Sequence, residues 1–135
     1  MRSTVFFLFL LICFGFIHSK SMNELDGKWI PVRQEFAGTA LPAANFEKQT
    51  LVIHDSTYIV TAESVDKGTL KYADGKMDIY GKEGVNAGKH FAAIYKFENG
   101  QLNICYNLKG DFYPESFQTK DHPLFFLSVF KKPDQ

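Results

Sequence analysis

Two dipeptides constrain this chain more than anything else in it: Asp74-Gly75 and Asn99-Gly100, each set between extended runs rich in β-branched and aromatic residues. A two-residue connection between antiparallel strands takes a mirror-image turn whose central residues need positive φ, and Asn, Asp and Gly reach that backbone with least strain. Both sites predict tight hairpins. Asp55-Ser56 and the stretch Asp66-Lys67-Gly68 read as weaker punctuation of the same kind. Alternation agrees, because Leu102, Ile104 and Tyr106 interleave with Asn103 and Asn107, and Phe91, Ala93, Tyr95 and Phe97 with His90 and Lys96. A period of two gives a strand one inward face and one wet face.

The expected strands are residues 28–36, 50–54, 57–63, 68–72, 76–81, 90–97, 101–107 and 124–131, eight in number, and no twelve-residue stretch has helical apolar spacing. Hairpin links in sequence order place neighbours side by side, so the fold class is all-β: a single antiparallel up-and-down barrel of about eight strands. Pro31 lacks an amide donor and belongs at a bulge or an edge, which predicts imperfect closure there. The run Leu124 to Phe130 is apolar on both faces. It needs cover outside, for which the segment 37–48, with a helical turn, is the expected source.

Ahead of this domain, Val5 to Ile17 is an unbroken thirteen-residue run without a charge, preceded by Arg2 and followed by the polar Lys20 to Glu24. As a helix it would reach only about 20 Å. Bilayer hydrocarbon is roughly 30 Å thick, so the run reads as an export signal rather than an anchor. The expected organisation is a signal peptide over 1–19, cut after Ser19, and a barrel domain over 20–135, in an exported (periplasmic or secreted) protein with no transmembrane span in the mature chain. Cys13 offers a less favoured lipid-anchor site, because Ile12 before it is larger than a lipoprotein signal normally carries.

The chain has 15 basic and 15 acidic residues, and losing Arg2 leaves the mature domain at a formal −1. A nucleic-acid partner needs a basic excess that is absent. Cys105 alone remains after cleavage, so packing rather than a disulfide must hold the domain. Its place in the apolar run Leu102 to Tyr106 predicts a buried thiol.

Leu25-Asp26-Gly27-Lys28-Trp29 resembles the L-x-G-x-W opening of a small lipocalin-like domain family of exported bacterial proteins, first recognised in planctomycetes and otherwise uncharacterised. The similarity continues in order through Leu51-Val52-Ile53, Gly68-Thr69-Leu70, Asp78-Ile79, Gly88-Lys89, Ile94-Tyr95, Leu102 to Cys105 and Pro114 to Phe117. Tyr113 stands where the family usually has arginine. The resemblance implies that Gly27 and Trp29 close the barrel floor with a cation from the last strand over the indole, for which Lys131 is the candidate.

The residues offer little catalytic chemistry. His54, His90 and His122 lie far apart, no metal-ligand spacing or nucleophile elbow is present, and Gly81 to Lys89 lacks phosphate-loop spacing and reads as a hairpin loop. Asp111 and Glu115, which flank aromatic residues near Pro114, are the one spot where two carboxylates could face a substrate with stacking surface beside them. No cofactor, metal or catalytic residue is assigned, which leans the chain away from an enzyme. An eight-stranded interior is just wide enough to be filled by side chains or to hold one small molecule. Tyr58, Tyr72, Phe91, Tyr95, Phe97 and Tyr106 are the candidate lining. The leading expectation is a barrel binding a small apolar or amphipathic molecule. The alternative is a filled barrel that meets a protein partner through exposed aromatics such as Phe112 and Tyr113.

Overall fold

The computed structural model describes residues 23–134. The expected signal segment, the cut after Ser19 and Cys13 lie outside them. Nine strands form: β1 (Gly27–Phe36), β2 (Thr39–Ala40), β3 (Thr50–His54), β4 (Thr57–Thr61), β5 (Val65–Ala73), β6 (Lys76–Glu83), β7 (His90–Glu98), β8 (Gln101–Asn107) and β9 (Phe125–Lys131). Successive strands from β3 to β9 pair antiparallel, β3 pairs β1, and β1 pairs β9, so eight strands close into a barrel. The two-residue β2 hangs on the end of β1 outside the ring. A 3₁₀ turn at Ala43–Asn45 supplies the helical turn expected in 37–48.

The hairpin signals act as their chemistry requires. Asp74 and Gly75 have φ of 53° and 77°, and Asn99 and Gly100 53° and 73°, the double positive φ of the mirror-image turn. Asp66 to Gly68, expected as a turn, instead lies within β5, and the chain bends earlier, at 62–64. Gly68 is there for room. A Cβ on it would sit 2.0 Å from the Tyr80 carbonyl oxygen and 2.6 Å from the Tyr58 ring.

Pro31 sits at a bulge, but closure is not lost. The β1–β9 ladder pairs Pro31 with Phe130, skips a residue, and resumes at Arg33 with Val129 and Gln34 with Ser128. The extra residue changes which side chains turn inward. Trp29 and Pro31 face the interior; without the bulge Arg33 and Glu35 would follow them. With it, Gln34 turns in and is buried, while Arg33 and Glu35 pair with each other outside at 3.6 Å. The thin part of the wall lies on the other side of β1, which pairs with β3 only from Gly27 to Trp29.

One end of the barrel is plugged. Leu25 and Trp29 are buried with Tyr95 and Leu102 in the main core cluster, with Tyr72 packed against it. The indole N–H donates to the Leu25 carbonyl at 2.9 Å. The cation over the indole is Lys132, its Nζ 4.1 Å from the ring centre, and not the expected Lys131. Parity explains the correction: Phe126, Ser128 and Phe130 face inward, so the next residue on that side is 132. The Lys132 ammonium also donates to the Asp26 carbonyl at 2.8 Å and passes within 2.0 Å of where a Cβ on Gly27 would be. Gly27 has φ 135°, so both backbone and space favour glycine in this motif.

The outer face of β9 is covered, though not by 37–48. Cys105, Phe125, Leu127 and Val129 form a second buried cluster with Ile94 and Phe117, the last from the long β8–β9 connection. That connection is pinned along its length. Buried Asn107 donates to Asp111 and to the Phe112 carbonyl, and buried Thr119 accepts from the Gly38 amide and bonds Glu35. Cys105 is buried here as expected, and burial, with the charge of Glu35, pushes its thiol up to about 11. At neutral pH it is a small apolar side chain rather than a nucleophile.

Candidate functional site

Above the plugged floor the barrel encloses a cavity of about 480 Å³. Its wall is largely aliphatic, from Ile53, Leu70, Met77, Ile79 and Ile104. These are inward positions of β3, β5, β6 and β8, where alternation directs them. Neutral polar side chains also face the space, among them Gln34, Ser128, Tyr58 and Tyr106. Gln34 donates to Ser128 Oγ at 3.2 Å and to Gln49 Oε1 at 3.0 Å, bridging the gap where β1 leaves β3. Gln49, Asp66, Asn86, Lys89 and Leu108 ring the mouth, at the end opposite Trp29. Asp66 Oδ1 accepts from the Asn86 amide at 3.2 Å, which fixes the β6–β7 loop there.

The two phenols come from opposite walls. Tyr58 is on β4 and Tyr106 on β8, four strands apart whichever way the ring of eight is counted. Tyr106 stacks on Phe126 with centroids 5.6 Å apart. Burial raises the pKa of Tyr58, with the Asp66 charge adding, and raises that of Tyr106 far more, with Tyr58 and Cys105 adding. Both are neutral hydroxyls under ordinary conditions.

Of the six aromatic lining candidates, Tyr58, Phe91 and Tyr106 line this cavity. Tyr72 and Tyr95 meet edge to face at 5.8 Å in the floor layer, and Phe97 packs on Trp29 at 6.0 Å while 41% exposed. Sequence reasoning did not single out Gln34 or Ser128. The signal for Gln34 was Pro31, whose bulge turns it in, whereas Ser128 faces in by the alternation of β9.

The residues considered for chemistry are elsewhere. Asp111 accepts from Asn107 and lies 3.5 Å from Lys109 on the outer loop, and Glu115 is exposed there. Among the described residues no three of His, Cys, Asp and Glu gather into a metal-binding group, and no helix is long and apolar enough to cross a membrane. His90 Nε2 contacts Asp78 Oδ1 at 2.7 Å on the outer wall, and Tyr113 donates to Asp78 Oδ2 at 2.5 Å, clasping the β8–β9 connection to β6. Burial would raise the Asp78 pKa, but the Tyr113 and His90 hydrogen bonds and the charges of His90 and Lys71 outweigh it and leave it lowered. A lowered folded-state pKa gives stability that is present above the ordinary value of 3.8 and lost as pH falls through the folded value. In urea unfolding followed across pH, the parent is expected to exceed Asp78→Asn above pH 4, and the gap to close in stronger acid. A gap independent of pH would rule the clasp out as a charge effect.

Together these features define a closed antiparallel β-barrel with one plugged end and an interior cavity opening at the other. No family model and no curated protein matches the sequence. Among solved structures, an uncharacterized protein from Bacteroides eggerthii is similar with a TM-score of 0.53, over 81% of this chain and 99% of that one, at 10% sequence identity. At that identity the likeness concerns the fold alone.

Proposed function

We propose that this chain is an exported, non-enzymatic, lipocalin-like barrel that binds a small apolar or amphipathic molecule in its interior. The observation that carries this reading is the cavity of about 480 Å³, largely aliphatic and polar at a few placed points. That size and that mixture are those of small-molecule sites. The same open space argues against the alternative of a filled barrel acting only through its surface. Membership of the L-x-G-x-W family belongs to the proposal, supported by the roles of Gly27 and Trp29 at the floor. Export rests on the residues before the domain.

The test uses N-phenyl-1-naphthylamine, a neutral apolar fluorophore. It is expected to bind at one site per chain with a Kd of about 1 to 10 µM, the range for a ligand of this size. Leu70→Trp, which fills part of the lumen, is expected to weaken binding at least about tenfold while the thermal transition stays cooperative. Absence of saturable binding, or binding indifferent to Leu70→Trp, would sink the reading.

A further inference from the structure

The interior polar groups specify more than a container, and any role for them in recognition rests on the proposal that the barrel is one. The Tyr58 and Tyr106 hydroxyls have no hydrogen-bond partner among the described residues, although no fully buried side-chain polar atom there lacks one. Both hydroxyls must therefore open onto the cavity. They approach it from opposite walls, and Gln34 and Ser128 add an amide and a further hydroxyl to the lining.

Among the described residues no ionised side chain joins them. The bulge after Pro31 turns Arg33 and Glu35 out of the lumen, and the charged groups that the described residues place along the cavity, Asp66 and Lys89, are of opposite sign at its mouth. Lys89 is exposed, where water screens its charge. An anion brought between the phenols would leave water without a counter-charge, which a low-dielectric interior penalises heavily. A hydrocarbon end would leave both hydroxyls unpaired.

We infer that the ligand enters with a neutral oxygen function, a carbonyl or hydroxyl group, held between Tyr58 and Tyr106, and with an aliphatic or ring portion on the Leu70, Met77 and Ile104 wall. The class is neutral oxygenated lipids and similar ketones and alcohols, as opposed to fatty-acid anions. Tyr58 and Tyr106 are then the residues that set specificity.

Displacement of bound N-phenyl-1-naphthylamine at pH 8 by three ten-carbon probes tests this. 2-Decanone and 1-decanol are expected to displace at concentrations about tenfold below decanoate. Tyr58→Phe and Tyr106→Phe keep the rings, and each is expected to weaken 2-decanone about fivefold, the value of one hydrogen bond. Each variant's own fluorophore Kd enters the displacement analysis, and both variants should keep a cooperative thermal transition, which separates a lost hydrogen bond from a deformed barrel. Decanoate displacing at the lowest concentration, or a double Phe variant that binds 2-decanone as the parent does, would overturn the inference and leave the container intact. If the fluorophore itself does not bind, the container reading fails and this one with it.

Discussion

Trp29→Ala is expected to destabilise the domain by about 3 to 5 kcal/mol, the range for deleting a buried large aromatic. Domains of this size are stable by roughly 5 to 15 kcal/mol, so the variant would be marginal at best. Three losses coincide at this one position. The indole leaves a cavity in the floor, the Leu25 carbonyl loses its donor at 2.9 Å, and the Lys132 ammonium loses the ring 4.1 Å away. Trp29→Phe should fall between, since it keeps a ring for Lys132 and Phe97 but no N–H. Trp29 is the only tryptophan, so unfolding in urea has to be followed by circular dichroism rather than indole fluorescence. A loss below about 1 kcal/mol for the alanine variant would mean that the floor is not a principal source of stability.

The second large effect is expected at Gly68. A methyl group there would meet a backbone oxygen at 2.0 Å and the Tyr58 ring and hydroxyl at 2.6 and 2.8 Å. The side chain can swing aside, but the Tyr80 carbonyl belongs to the β5–β6 ladder and moves only if the sheet does. Overpacking of this kind costs about 2 to 3 kcal/mol. Gly68→Ala is expected to show that loss and, by displacing Tyr58, to weaken ligand binding as well. Gly88→Ala provides the comparison: nothing lies within 4 Å of its Cβ position, and only its φ of 81° is strained. It should cost about 1 kcal/mol and leave binding alone. Equal stability of the two variants would show that close packing at Gly68 is not what requires glycine.

The barrel itself was legible because its determinants are local. Asp74-Gly75 and Asn99-Gly100 carry their turn geometry in two residues, and hairpins joined in order leave few topologies. What could not be read depends on pairing between distant segments. Alternation tells which face a side chain takes but not its height along the barrel axis. Tyr72, Tyr95 and Phe97 therefore share a face with Phe91 yet belong to the floor, while Phe91 lines the cavity. Pro31 signalled a bulge, but that it brings in Gln34 and excludes Arg33 depends on pairing with β9, more than ninety residues away. Lys131 was one residue off because the strand's parity continues past its last hydrogen-bonded residue. The cover over β9 was misassigned because the β8–β9 connection has no periodicity; Asn107 holds its start through Asp111 and Phe112, while Tyr113 and Thr119 are individual side chains meeting Asp78 and Glu35 far along the chain.

Closure of β1 on β9 also bears on how these molecules meet one another. An open sheet ends in rows of unpaired amides and carbonyls that can template a strand from a second molecule. Joining the first barrel strand to the last consumes both rows along most of their length, from Ile30 with Lys131 to Phe36 with Phe126. Beyond the ring, β2 presents a free edge of just two residues, Thr39 and Ala40, too short to seed a ladder. The ladder that encloses the cavity thus also protects a chain rich in β-branched and aromatic residues from strand-to-strand aggregation.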